Sequence, residues 1–154
     1  MSITHRLSFQ SQRNKAEVLE SLLSSDIGLQ KARYGEVQAE GLFGRVTELS
    51  QNYQTGFFDE YGFKPNLSLS FDEDSDGDVE VGEVIMGKAV ALILKQEKGD
   101  AMLLYVVDTP ILKRLSGKTI VADRHHFDWL RNALDEVGLS YELKSVEEIE
   151  SVQV

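Results

Sequence analysis

The chain has 154 residues, no cysteine, and 26 acidic against 16 basic side chains, for a formal net charge of −10. That length suits one domain able to bury about two thirds of its unfolded surface without staples, and the lack of cysteine excludes disulfide scaffolds, thiolate zinc sites and cysteine nucleophiles. The carboxylate surplus opposes nucleic-acid binding, which is built from Lys and Arg contacts to phosphate; it suits a basic protein as partner through complementary charge, beside the plainer reading, which charge alone favours, of an acidic surface that keeps the protein soluble.

Residues 2–9 alternate apolar and polar side chains, with Ile3, Leu7 and Phe9 on one side and Arg6 and Ser8 on the other, which predicts a first strand. The same stretch has no continuous apolar core, so no secretory signal is expected; no run of about 18 apolar residues exists to span a membrane, and the cytoplasm is the expected location. Asn14 suits a helix N-cap with Glu17 three positions on, and Ala16, Val18, Leu19, Leu22 and Leu23 form an apolar face about three turns long. Between Gly35 and Leu49 a Val-, Phe- and Leu-rich segment broken by Gly41 and Gly44 predicts one or two short strands. A helical turn over 54–62 ends at Gly62, and strict alternation over 66–71 gives the next strand.

An acidic loop follows, and then a helix from about 80 to 97. Val84, Ile85, Ala89, Val90, Leu92, Ile93 and Leu94 make that helix apolar nearly all round, so it is expected to be the buried spine, stopped by Gly99-Asp100. Three short strands over 101–107, 111–115 and 118–122, punctuated by Asp108-Thr109-Pro110 and Ser116-Gly117, read as a meander. Asp123 is expected to cap a helix carrying Phe127, Leu130, Leu134 and Val137, with Gly138 as its stop and 139–143 as a last edge strand. The whole predicts a single α+β domain over 1–148, an antiparallel sheet packed with about three helices including one long buried helix, and a frayed tail over 149–154.

The densest chemical signal is Asp-Glu-Asp-Ser-Asp-Gly-Asp-Val-Glu-Val-Gly-Glu at 72–83, which fits the pattern D-x-D-x-D-G-x5-E and resembles an EF-hand calcium loop. Asp72, Asp74 and Asp76 supply loop positions 1, 3 and 5. Gly77 allows the turn at 6, the carbonyl of Asp78 stands at 7, Glu80 is placed to act through water at 9, and Glu83 closes at 12. The incoming segment reads as a strand where an EF-hand has a helix. A calcium site on Asp72, Asp74, Asp76, Asp78 and Glu83 therefore stands beside a solvated acidic turn.

Other chemical signals are sparser. His125 and His126 are adjacent and so point in different directions, and no H-x3-H pair exists because His126 plus four is Leu130. With His5 they are the only histidines available to a hydrolytic triad. Gly117-Lys118-Thr119 copies the end of a P-loop, but Leu112 stands where the first glycine belongs and a strand follows, which argues against phosphate binding. Trp129 and the cluster Phe57, Phe58, Tyr61 and Phe63 are either core or anchors of a binding surface.

Two segments together carry a family likeness. Glu60-Tyr61-Gly62-Phe63-Lys64-Pro65-Asn66-Leu67-Ser68-Leu69-Ser70-Phe71, and Gly99-Asp100-Ala101-Met102-Leu103-Leu104 leading into Ile111-Leu112-Lys113-Arg114, are joined by Trp129 and Tyr141-Glu142-Leu143. The chain resembles, over most of residues 1–148, the third-type immunity proteins of the swarm-inhibition (Sit) toxin systems of myxobacteria. The resemblance implies a small non-enzymatic domain that binds and neutralises one cognate toxin. A calcium-binding module and a hydrolase using His125 or His126 are the competing readings.

Overall fold

The computed structural model describes residues 4–33, 35–106, 108–115, 117, 119–125 and 127–151. Among these residues nine strands form one sheet and five helices pack on it. In chain order the elements are β1 (Thr4–Phe9), α1 (Lys15–Ser24), β2 (Gln30–Lys31), β3 (Glu36–Ala39), β4 (Leu42–Glu48), α2 (Gln51–Tyr61) and β5 (Leu67–Glu73). Then follow α3 (Val79–Gln96), β6 (Ala101–Tyr105), β7 (Thr109–Arg114), β8 (Ile120–Asp123), α4 (Asp128–Glu136), β9 (Tyr141–Lys144) and α5 (Val146–Glu150). The strand order is β2-β3-β4-β5-β1-β6-β7-β8-β9.

Side-chain parity assigns the two faces. Leu7 and Phe9 of β1, Leu69 and Phe71 of β5, Leu42 and Val46 of β4 and Leu103 of β6 enter the main core under α1, α3 and α4. α3 is the spine of that layer, with Met86, Ala89, Val90, Ile93 and Leu94 fully buried. It is not apolar-buried all round, since Val81 and Val84 are 42% and 49% exposed on its outer side. Gly87 sets the α3–α4 approach: a Cβ there would stand 2.6 Å from the Trp129 carbonyl oxygen.

The opposite face is covered only in parts. α2 brings Phe57, with Phe63 just beyond it, onto Met102, Leu104 and Leu115, and α5 lies over β7 and β8 with Ile149 buried. β6 to β8 are therefore buried on both sides and read as nearly continuous apolar runs, whereas β4 alternates because one of its sides faces water.

Local chemistry sets the helix ends. Asn14 and Glu17 form the expected capping box: Asn14 Oδ1 accepts from the Glu17 amide at 2.9 Å and Glu17 Oε1 from the Asn14 amide at 3.0 Å. Gly62, at φ 90°, closes α2 in the left-handed conformation. The C-terminal carbonyls of α3 are met by a side chain from the sheet. Arg114 donates to the carbonyls of Leu94 at 2.7 Å, Glu97 at 2.7 Å and Gly99 at 3.1 Å, which satisfies acceptors that a helix end otherwise leaves orphaned.

Several expectations need correction. The described residues hold five helices where about three were expected. The turn over 54–62 is a full helix of 11 residues. Residues 149–150 belong to α5, capped by a Ser145–Glu148 box, and Ile149 is wholly buried; they are not a frayed tail. Residues 152–154 lie outside the described residues. Asp123 does not cap α4: it ends β8, buried, and Phe127 stands at the N-cap with φ 63° and no side-chain cap. Nor is the sheet wholly antiparallel, because α4 carries the chain across and sets β9 parallel to β8.

Candidate binding surface

The uncovered part of the sheet is the outer face of β3, β4, β5 and the start of β1. Register builds it in cross-strand rows. Arg6 pairs with Ser70, Ser70 with Arg45 and Arg45 with Glu36; one row over, Asp72 pairs with Phe43 and Phe43 with Gln38. Phe43, the second residue of β4, is 47% exposed although its strand is paired on both sides. The side chains hold one another in place. Arg6 Nε donates to Ser70 Oγ at 3.2 Å and Arg6 Nη1 to Tyr53 Oη at 3.3 Å, from the first turn of α2, while Arg45 forms an ion pair with Glu36. Between these groups lies a shallow, mostly polar hollow of about 410 Å³, lined by Arg6, Phe43, Arg45, Thr47, Ser70 and Asp72 among others.

The acidic loop adjoins one end of this face. β5 runs on through Asp72 and Glu73, so five residues, 74–78, bridge strand and helix. Their geometry is that of a turn joined to a helix cap. Asp74 Oδ1 accepts from the Asp76 amide at 3.0 Å, and Asp78 Oδ1 accepts from the amides of Glu80 at 3.1 Å and Val81 at 3.3 Å, which makes it the N-cap of α3. The loop is pinned to the β3–β4 turn: the Asp74 amide donates to the Gly41 carbonyl at 2.9 Å and the Asp78 amide to Glu40 Oε1 at 3.0 Å. Cβ atoms added at Gly77 or Gly82 would stand 2.6 Å from backbone atoms of Gly41, so this approach requires glycine.

Asp72, Asp74, Asp76, Asp78 and Glu83 are thus given separate tasks. Asp72 stands on the open face and Asp76 in the exposed turn, while Glu83 lies on α3 near Glu73, where burial and the neighbouring carboxylates of Glu73 and Glu80 raise its pKa. Among the described residues, no group of three or more His, Asp or Glu side chains is arranged to hold a metal ion.

The remaining sequence candidates are dispersed. His125 is exposed, and His126 and Lys118 lie outside the described residues. Phe57 and Phe63 are core, stacked edge-on at 5.0 Å, and Tyr61 is half-buried beside them. Phe58 is 48% exposed with Lys64 Nζ 5.7 Å over its ring. Trp129 is half-buried and packs on His5.

His5 is buried within a cage of Tyr105 at 4.9 Å, Trp129 at 5.5 Å and Phe127 at 6.0 Å. Neither ring nitrogen has a hydrogen-bond partner, and burial lowers its pKa to about 4. The sequence reading named His5 only as a histidine available to a triad and not as a buried one, and the open face escaped it. The available signals were parity: His5 shares the apolar side of its strand with Leu7 and Phe9, and Phe43 occupies the polar side of β4.

No helix among the described residues is long and apolar enough to cross a membrane. No curated protein and no solved structure matches the chain. A family model does, and it covers the sheet from its first strand through the meander and into α4. Matched over residues 3–131, the chain belongs to the SitI3-like family.

Proposed function

We propose that this protein is an immunity protein that binds and neutralises one cognate bacterial toxin inside the cell that makes it, acting by occlusion and not by catalysis. Membership of the SitI3-like family over residues 3–131 carries the proposal. Its architecture suits that task. A nine-stranded sheet braced by three helices on one side leaves a preformed polar face on the other, and rigid surfaces lose little entropy on binding. The net charge of −10 favours a toxin with a basic surface.

The test is protection. A candidate toxin, sought first among the genes neighbouring the one for this chain, is induced in a heterologous host with and without the chain. Growth is expected to be restored only with it, and the two purified proteins are expected to form a stoichiometric complex. Death of cells that contain folded, soluble protein would overturn the reading.

A further inference from the structure

We propose that the open face of β3, β4, β5 and β1 is the surface on which the toxin docks, with Phe43, in the row next to the acidic loop, as its apolar anchor and a basic patch of the toxin as its occupant; this rests on the immunity reading above. Three observations converge on that face.

The first is its composition. Phe43, Arg6 and Arg45 line one hollow of about 410 Å³, with Tyr53 hydrogen-bonded to Arg6 beside it, and aromatic and arginine side chains are enriched at the few positions that carry most of an interface's binding energy. The second is preorganisation. Arg6 is fixed by Ser70 and Tyr53, and Arg45 by Glu36, before any partner arrives, so docking freezes few rotamers. Phe43, near the start of β4, belongs to neither apolar cluster of the protein and stands half-exposed, where a partner's apolar pocket can enclose it.

The third is charge. Asp72 stands on the face itself, and Glu40, Asp74, Asp76 and Asp78 crowd its end through the turn-to-loop hydrogen bonds. Residues 65–87 contain no Lys or Arg. A partner that brings Lys or Arg to this end relieves repulsion among carboxylates, whereas a second copy of this chain, itself at −10, adds to it.

The probe is the purified toxin identified by the protection test above, titrated calorimetrically at two salt concentrations against the wild type, Phe43→Ala, Asp72→Lys and a control, Val84→Asp, on the exposed side of α3. Phe43→Ala is expected to weaken binding by at least about 30-fold. Asp72→Lys is expected to weaken it and to flatten its salt dependence, and Val84→Asp to leave it unchanged. Circular dichroism confirms that each variant is folded, as their exposed positions lead one to expect. Wild-type affinity in both face variants, or loss confined to Val84→Asp, would overturn this surface while leaving the immunity reading intact. Failure of the wild type to bind would overturn both. A wild-type dimer that Phe43→Ala dissociates would assign the face to a second copy of the chain and refute the toxin as occupant.

Discussion

Replacing His5 with Phe should remove a specific part of the protein's acid sensitivity. In the folded state the ring is enclosed by Tyr105, Phe127 and Trp129 with both nitrogens unpartnered, and burial lowers its pKa from 6.5 to about 4. The unfolded chain therefore takes up the proton first as pH falls. The stability that neutral His5 allows is fully present above pH 6.5 and is lost progressively between 6.5 and 4. The full shift corresponds to about 3 kcal/mol, of which about 2 kcal/mol is lost between pH 7.5 and pH 5. For a chain of this size that is a fall of roughly 4–8 °C in Tm.

Glu73 and Glu83 act in the opposite sense, because burial raises their pKa values and their contribution grows as pH falls. The informative quantity is therefore the difference between wild type and His5→Phe, measured by urea denaturation at each pH. The difference should grow by about 2 kcal/mol in the variant's favour between pH 7.5 and 5, with the variant no less stable at neutrality, since it removes two orphaned polar atoms. Parallel pH profiles would refute the argument, as would an NMR titration of the His5 ring with a midpoint near 6.5.

Three further outcomes follow from the same structure. Gly41→Ala forces a side chain onto φ 73° and sets its Cβ 2.1 Å from the Asp78 carbonyl oxygen, whereas Gly117→Ala at φ 68° meets nothing within 4 Å. The first should lose at least about 2–3 kcal/mol and the second about 1 kcal/mol in denaturant titrations, and equal losses would contradict the packed-loop account. Arg114→Leu leaves the carbonyls of Leu94, Glu97 and Gly99 without their donor and should cost about 3 kcal/mol by the same assay; a change below about 1 kcal/mol would show that water replaces the guanidinium readily. Millimolar calcium should leave Tm unchanged, because the Asp74 and Asp78 carboxylates already accept backbone amides. A site filled at 100 times its Kd would instead add about 2.7 kcal/mol and raise Tm by several degrees.

Much of the fold was legible because it is locally encoded. The Asn14–Glu17 box, the alternation in β1 and β5, the apolar length of α3 and the meander of β6 to β8 each lie within one stretch of chain. What was missed depends on partners distant in sequence. α2 carries few apolar residues and a central Gly56, and only its seat on Met102 and Leu104 defines its inner side. Asp123 has the chemistry of an N-cap, but β7 and β9 flank Ile120–Asp123 as a strand and draw Asp123 into the sheet. Residues 145–148 did hold a capping-box pattern, Ser followed three positions later by Glu, and that signal could have announced α5.

The acidic loop shows how one residue pattern can answer two structural demands. A calcium loop calls for carboxylates at alternate positions and a glycine where the chain turns sharply. A strand-to-helix turn braced against another turn calls for nearly the same residues, for unrelated reasons. Asp74 satisfies the Asp76 amide, glycine at 77 lets the loop touch Gly41, and Asp78 caps α3. Only convergence separates the two cases, and convergence is a tertiary property that spacing does not encode. Capping and turning account for Asp74, Gly77 and Asp78, and Asp72 and Asp76 are exposed at the end of the open face. Their consequence is electrostatic: they make that end of the sheet the part of the surface that a basic partner approaches most favourably.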